Sequence, residues 1–187
     1  IGISSIIKKL GIEDTYISSD DIGYKIAPLI NAVGRIADTK LIIDLLTSSS
    51  ESSARVLIKE CFAISNERKR LTSLLEKEAL IMAISEYENN SKFLVLINRE
   101  WHPGIIGIVA ARMVENFNLP TAILSVANDG TFRGSIRSNK ELKVNIALAE
   151  CKDLLIAYGG HSAAAGFTIK EENIAQLSEM LNNIAIR

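Results

Sequence analysis

The pattern of hydrophobic and polar positions changes at about residue 50. Before it, short apolar stretches are interrupted by glycine and proline. This part predicts a small helix that ends at Gly11 and a second short helix that Asp38 caps. Because Pro28 disfavours helix at Ala27, we expect the segment between these helices to contain loops.

From residue 50 to residue 90 the chain contains neither glycine nor proline. Apolar residues recur there at spacings of three, four and seven, which is typical of an α-helix. The middle of the stretch, "SNERKR", is polar on nearly every face, so one unbroken helix would suit a strut between two bodies. Two ordinary helices with an unmarked break are the alternative. The apolar positions are Leu57, Cys61, Ile64, Leu71, Leu75, Ala79 and Met82.

The remainder, residues 91–187, alternates between strand and helix patterns. The fold class that this predicts is α/β: a mixed sheet flanked by helices and preceded by a long connecting α-helix. The predicted division of the chain is therefore into three segments: residues 1–49, the helix 50–90, and the α/β domain 91–187. The predicted order is strand "KFLVLINRE", helix "HPGIIGIVAARMVENFN", strand "TAILSVA", turn "NDG", strand "TFRGSIRS", helix "KVNIALAECKDLLIAYGG", strand "AAAGFTIK" and helix "NIAQLSEMLNNIAI".

Composition narrows the function classes. The chain is 48% hydrophobic and 23% charged, as in soluble globular proteins, and its apolar runs are too short for a membrane span. Cys61 and Cys151 lie far apart, which argues against disulfide or zinc scaffolds and favours a cytoplasmic location. The net charge is −1, so any nucleic-acid site must be a local basic patch.

The segment "WHPGIIGI" falls where a buried strand leads into a helix N-terminus. Ligands of α/β folds gather at such strand ends, and the free N–H groups of the helix suit an anion. Trp101 and His102 flank this point and are candidate binding residues. Alternatively, Trp101 fills the core and His102 caps the helix.

The segment "FRGSIRS" reads as a strand, in which residues two apart share a face. Arg133, Ser135 and Arg137 would therefore project together, with Gly134 leaving room beside them. Two guanidinium groups and a hydroxyl could clamp a phosphate or a carboxylate. The alternative is a solvated face of an exposed hairpin.

Two further segments carry glycine. In "YGGHSAAAGF", Gly159 and Gly160 would end a helix, and the small residues around His161 would let a flat ligand approach. A plain helix cap explains the glycines equally well. In "INAVGR", Asn31 and Arg35 are expected in a loop, which alone is a turn with a solvated arginine.

Five features, taken in their order along the chain, resemble the C-terminal core of the RecJ family. They are "IAPLINAVGR", a long helix containing "NERKR", "WHPGIIGIVAAR", "GSIRS" and "GGHSAAAGF". This family comprises the single-strand-specific DNA exonucleases of the DHH phosphoesterase superfamily. The resemblance runs from about residue 22 to residue 169. The GGHxxAAG pattern also occurs in DHH phosphodiesterases that act on short oligonucleotides or cyclic dinucleotides.

The resemblance implies two lobes with the active site between them. An N-terminal DHH lobe binds a pair of divalent ions, usually manganese or otherwise magnesium, and a DHH-associated lobe holds the nucleotide or single-stranded DNA. It implies that His161 is catalytic and faces the scissile phosphate. The substrate-binding residues that it implies are Asn31, Arg35, Trp101, His102, Gly134, Ser135, Arg137, Ser138, Gly159 and Gly160.

The sequence departs from the family in having no DHH triplet and no Asp/His cluster with metal-ligand spacing. We therefore expect no metal ligands on this chain, no activity from it alone, and a missing DHH lobe as its partner in DNA repair and recombination. Two alternatives stay open. One is a phosphodiesterase for short oligonucleotides or cyclic dinucleotides, and the other is a non-catalytic nucleic-acid-binding module.

Overall fold

The computed structural model describes residues 1–12, 16–139 and 141–187. The chain forms two compact units, Ile1–Leu71 and Thr72–Arg187. The helices are α1 (Gly2–Leu10), α2 (Ala27–Ile36), α3 (Lys40–Leu46), α4 (Glu51–Glu88), α5 (Ile106–Phe117), α6 (Val144–Glu150) and α7 (Ile174–Ile186). The strands are β1 (Leu94–Ile97), β2 (Thr121–Val126), β3 (Phe132–Arg137), β4 (Leu155–Gly160) and β5 (Ala164–Ile169).

The first unit buries the apolar faces of α1, α2, α3 and the beginning of α4 in one core. As predicted, α1 ends at Gly11, whose φ of 68° is left-handed. The carboxylate of Asp38 accepts the N–H of Lys40 at 2.8 Å, as expected for the start of α3. The core of this unit includes Ile6, Leu29, Val33, Leu45, Ile58 and Cys61.

The loop predicted around "INAVGR" is wrong, because Asn31 and Arg35 lie within α2. A π-helical turn, Asp21–Ile26, leads directly into this helix. Pro28 stands in the first turn of α2, where the fixed φ of proline suits the helix. Burial of one apolar face of α2 then outweighs the preference of the residue before proline for an extended backbone.

Helix α4 is a single helix of 38 residues, so the predicted unbroken helix is confirmed over the alternative of two helices. Its buried positions fall into two groups, separated by the polar stretch 66–70. The first group belongs to the Ile1–Leu71 unit and the second to the Thr72–Arg187 unit. The apolar residues of these groups are Ala54, Ile58, Cys61, Leu75, Ala79 and Ala83, and the polar ones are Ser65 and Thr72.

The second unit is built on a five-stranded sheet in the order β1-β2-β3-β5-β4. Strands β1 and β2 are parallel, whereas the other three neighbouring pairs are antiparallel. The predicted mixed sheet flanked by helices is therefore confirmed. Within the described parts of the chain, no helix is both long and apolar enough to cross a bilayer.

The predicted helix over "KVNIALAECKDLLIAYGG" is wrong in its second half. Helix α6 ends at Glu150, a short 3-10 turn follows, and Gly159 and Gly160 end strand β4. Strand β4 lies at the edge of the sheet with most of its side chains exposed, so no alternation of buried and exposed positions marks it. The alternative of a helix cap at these glycines is therefore also wrong.

The sheet has two distinct faces. The inner face carries Phe132, Ile136 and Phe167, and its core includes residues of α6 and α7. The outer face carries Arg133 and Ser135, because successive side chains of a strand point to opposite sides. Helix α5 packs on β2 and β3. These elements form the surroundings of the candidate site.

Candidate substrate-binding site

The register of the strands places polar residues of β3 beside small residues of β5 and β4. Ser135 pairs with Gly166, which pairs with Gly159. One row along the sheet, Arg133 pairs with Thr168. Side chains of directly paired residues share a face. We call this part of the outer face the glycine shelf; it consists of Arg133, Ser135, Arg137, Ala157, Gly159, Ala164, Gly166 and Thr168.

Two glycines keep the shelf bare although packing does not demand them. A Cβ atom added at Gly159 would meet nothing within 4 Å, and one at Gly166 would meet only the carbonyl oxygen of Gly134 at 3.6 Å. Glycine weakens a strand, so glycines without a steric cause mark positions where another molecule can come close to the backbone. The shelf therefore offers a flat surface next to two arginines.

Gly134 serves the opposite face of the sheet. A Cβ atom at Gly134 would lie 2.1 Å from the ring of Phe167, which is buried in the core. The expectation that Gly134 leaves room beside the arginines is thus wrong. Because side chains alternate along the strand, the position of the absent Gly134 side chain lies on the inner face, where the ring of Phe167 occupies the space.

The predicted grouping of Arg133, Ser135 and Arg137 on one face is observed. Nη1 of Arg137 donates to Oγ of Ser135 at 3.2 Å and to the carbonyl oxygen of Ile136 at 2.8 Å. A Cβ atom at Gly107 would lie 2.8 Å from Oγ of Ser135, so the first turn of α5 touches this pair closely. The Arg137 guanidinium is half-buried and held in place, which favours bidentate recognition of a phosphate.

Asp129 adds a negative charge beside the arginine at the other end of the shelf. The hydroxyl and the N–H of Thr131 both donate to the Asp129 carboxylate, at 2.6 and 3.0 Å. These bonds, with a smaller contribution from the charge of Arg133, hold the pKa of Asp129 below its usual value. Asp129 and Arg133 both line a small cavity of about 240 Å³.

The Gly-Gly-His segment forms the tip of the β4–β5 hairpin. Gly160 has a φ of 147°, and a Cβ atom there would lie 2.4 Å from Cα of Ala165, so this turn requires glycine. The N–H of His161 donates to the carbonyl oxygen of Ala164 at 2.8 Å. Ala164 also pairs with Arg137 on its other side. His161 and Arg137 therefore lie at the same end of the sheet, and His161 is exposed.

Ser138 braces this hairpin tip. Its N–H donates to the carbonyl oxygen of Ala163 at 3.0 Å, and its Oγ donates to the carbonyl oxygen of Leu142 at 2.8 Å. The N–H of Val144, at the start of α6, donates to the carbonyl oxygen of Ser162 at 2.9 Å. The tip that carries His161 is thus fixed by backbone bonds from two sides.

Trp101 is buried, as its alternative role in the core predicted, whereas the alternative of His102 as a helix cap is wrong, because the N-cap of α5 is Ile105 and no side chain bonds there. Trp101 is 5% exposed, and its indole N–H donates to Oε2 of Glu78 at 2.7 Å. Nδ1 of His102 accepts the N–H of Gly104 at 3.0 Å, and its carbonyl oxygen accepts the N–H of Ile105 at 3.1 Å. A direct role of either residue in binding substrate stays a prediction.

An open groove of about 410 Å³ lies over the shelf. Residues of β3, β4 and β5 line this groove. Pro103, in the loop before α5, and Ile106, the first residue of α5, line it as well. A groove lined by one guanidinium, the hydroxyls of Ser135 and Thr168, and bare backbone can hold a phosphate next to a flat ring. The shelf residues that line the groove are Arg133, Ser135, Ala157, Gly166 and Thr168.

Asn31 and Arg35 belong to the Ile1–Leu71 unit. They stand four residues apart on α2 and are exposed, so they share one face of that helix. Their expected contact with substrate stays a prediction.

Several residues of the site escaped the sequence analysis. Thr168 is one of them; it stands two residues after Gly166, a small residue already expected to let a flat ligand approach, and this spacing could have revealed it once the pairing of β5 with β3 was known. Ala157 was hidden because its strand was predicted as helix, and Gly107 because nothing local links α5 to Arg137. Glu78 lies 23 positions before Trp101 and carries no motif.

Metal-ligating groups do not come together within the described ranges. No group of three or more His, Cys, Asp or Glu side chains in those ranges is placed to hold a metal ion. Cys61 and Cys151 are both buried without a disulfide, and their burial raises the pKa of each thiol.

Comparison with known protein families assigns the second unit. Residues 90–186 match the model of the DHHA1 domain. The chain belongs to the DHHA1 domain family.

Relatives in sequence extend the similarity over nearly the whole chain. It is 33% identical over 186 residues to the single-stranded-DNA-specific exonuclease RecJ of Bacillus subtilis, covering 99% of this chain and 24% of that protein. It is 31% identical to RecJ of Salmonella typhimurium, covering 98% of this chain and 33% of the relative. The chain thus spans about a quarter of the length of the first relative and about a third of the second.

Solved structures agree with this relationship. A crystal structure of Thermus thermophilus RecJ in complex with Mn²⁺ matches all of this chain with a TM-score of 0.87 at 28% identity, over 27% of the RecJ chain. The complex of the same protein with Mg²⁺ gives a TM-score of 0.88, again over all of this chain and over 28% of the other.

Proposed function

We propose that this chain is the substrate-holding part of a RecJ-type, single-strand-specific DNA exonuclease that acts in DNA repair and recombination. The observation that carries the proposal is the glycine shelf. On it, the arginines and Ser135 of β3 lie beside a bare surface of β4 and β5, and the hairpin tip with His161 closes one end. The RecJ relatives supply the substrate class, because their name gives single-stranded DNA.

In this proposal the chain binds and orients the phosphate of one nucleotide. Arg137 donates to its oxygens from a guanidinium that Ser135 and Ile136 already hold in place. His161, on the braced tip, faces the scissile phosphate and offsets the charge that develops on it. The sugar or base lies flat over Gly159 and Gly166, where no Cβ atom stands in the way.

Divalent ions, Mn²⁺ or Mg²⁺, complete the proposed reaction. They would be held by a DHH lobe, the partner implied by the family, and would activate the attacking water and stabilise the leaving oxygen. The Mn²⁺ and Mg²⁺ complexes of Thermus RecJ support this choice of ions. We propose that the chain by itself binds substrate without cleaving it, in the cytoplasm, where its free cysteines stay reduced.

The test compares variants of His161 and Arg137. In the enzyme that contains this chain and its metal-binding lobe, His161→Ala should lower Mn²⁺-dependent turnover on a single-stranded oligonucleotide about 100-fold. On the 187-residue chain, Arg137→Ala should weaken binding of a fluorescent oligothymidylate, measured by anisotropy. Lys170→Ala is the matched control, because Lys170 is an exposed cation beyond the opposite end of β5. Wild-type turnover of the His161 variant would overturn its assignment.

The same assays separate the two alternative functions. A phosphodiesterase for short oligonucleotides or cyclic dinucleotides would turn over a dinucleotide faster than a long single strand. A non-catalytic binding module would leave the long strand intact even when its metal-binding partner and Mn²⁺ are present. We expect cleavage of the long strand and little preference for the dinucleotide.

A further inference from the structure

Glu78, on the second half of α4, bonds to the segment that joins β1 to α5. Its Oε2 accepts the indole N–H of Trp101 at 2.7 Å and the side-chain amide of Asn98 at 3.3 Å. We call residues 98–105 the β1–α5 loop. A single carboxylate oxygen on a long helix thus receives two donors from this loop.

Hydrogen bonds among its own residues give the loop its shape. The N–H of Glu100 donates to Oδ1 of Asn98 at 2.9 Å, and the N–H of Trp101 donates to the carbonyl oxygen of Asn98 at 3.4 Å. His102 accepts the N–H groups of Gly104 and Ile105. These bonds run within the loop. From outside it, Glu78 of α4 bonds to Trp101 and Asn98, the carbonyl oxygen of Leu124 on β2 accepts the N–H of Asn98 at 3.3 Å, and Arg99 pairs with Glu171.

The loop leads directly to the groove over the glycine shelf. Pro103, two residues after Trp101, lines that groove, and so does Ile106 at the start of α5. The next residue, Gly107, is in close contact with Ser135 and Arg137. A shift of Trp101 would therefore move the wall of the groove and the helix turn that touches the phosphate-binding pair.

We propose that Glu78 is a positioning residue, which fixes the β1–α5 loop and so sets the groove wall against the glycine shelf. The proposal deepens the proposed function and rests on it, because the groove is where the nucleic acid would bind. A carboxylate suits this role since it only accepts hydrogen bonds. Without it the indole N–H of Trp101 loses its protein acceptor, which costs free energy because the residue is buried, and the loop loses its bonds to α4.

Three variants of the 187-residue chain test the proposal. Glu78→Ala removes the acceptor, and Glu78→Gln keeps an acceptor oxygen while removing the charge. Glu76→Ala is the matched control, because Glu76 lies two positions away on α4 and pairs with Arg112 of α5 without touching the loop. Trp101 is the only tryptophan of the chain, so its emission reports on this loop alone.

We expect Glu78→Ala to shift Trp101 emission to longer wavelength and to make it more accessible to acrylamide. The amides of the β1–α5 loop should exchange with solvent faster, and binding of the oligothymidylate should weaken about tenfold. Glu78→Gln should restore the emission and most of the binding, and Glu76→Ala should leave both unchanged.

Two results would overturn the proposal. In the first, Glu78→Ala keeps wild-type emission and loop exchange. In the second, Glu76→Ala loses as much binding as Glu78→Ala does, which would point to a general loss of stability. If the wild-type chain binds no oligonucleotide, the proposed function fails, whereas emission and amide exchange still decide whether Glu78 fixes the loop.

Discussion

The outer face of the sheet is covered differently over β2 and β3 than over β4 and β5. Over β2 and β3, helix α5 packs closely, and even Gly107 has no spare room beside Ser135 and Arg137. Over β4 and β5, the side chains are small and the surface is a groove. The same sheet thus provides a held guanidinium on one side and a flat, bare surface on the other.

The glycines of the site divide in the same way. Gly134 and Gly160 are required by the fold, the first by the ring of Phe167 and the second by its φ of 147°. Gly159 and Gly166 face open space or ordinary contacts. Neighbouring glycines such as Gly159 and Gly160 can therefore be present for different physical reasons. Only Gly159 and Gly166, which packing does not require, indicate a ligand.

The largest effect on stability is expected from Gly134→Val. The new side chain would collide with Phe167 in the core, and we expect the free energy of unfolding in urea to fall by about 3 kcal/mol. Gly166→Ala, on the neighbouring strand, is the control and should change it by less than about 0.5 kcal/mol. Equal losses for both variants would contradict the assignment of inner and outer faces.

A smaller loss is expected from Gly160→Ala. The backbone there has a positive φ, and a Cβ atom would lie only 2.4 Å from Cα of Ala165, so we expect a loss of about 2 kcal/mol in urea unfolding. Gly159→Ala, one position earlier, should be nearly neutral. If the two variants were equally stable, the turn would not depend on its second glycine.

The smallest effect on stability, with a clear effect on binding, is expected from Gly159→Val. Valine suits a strand and meets nothing at this position, so the free energy of unfolding should change by less than about 0.5 kcal/mol. The branched side chain would project from the glycine shelf, and the affinity for oligothymidylate should fall about tenfold in anisotropy. Unchanged affinity would show that the ligand does not cover this strand.

Much of the fold follows from local patterns. The absence of glycine and proline predicted α4, and continuous apolar runs predicted β1 and β2. The failures occur where tertiary packing decides. Strand β4 escaped because an edge strand need not alternate, and α2 escaped because Pro28 is compatible with a helix in its first turn.

The candidate site was partly accessible from the sequence. Strand periodicity alone grouped Arg133, Ser135 and Arg137, and the order of motifs drew attention to His161. The rest depends on the pairing of strands distant in sequence, which brings Gly159 beside Gly166 and Gly166 beside Ser135. The link between Glu78 and Trp101 is of the same kind, since two polar residues far apart have no periodicity to reveal them.

Strand β4 has a further consequence for the behaviour of the chain in concentrated solution. It is the last strand of the described sheet on its side, so its outer backbone groups form a template on which another extended chain could pair and start aggregation. Its pairing with β5 is irregular between Leu155 and Ala157. Such a break bends the strand and shortens the regular edge, which limits how many hydrogen bonds a second chain can add.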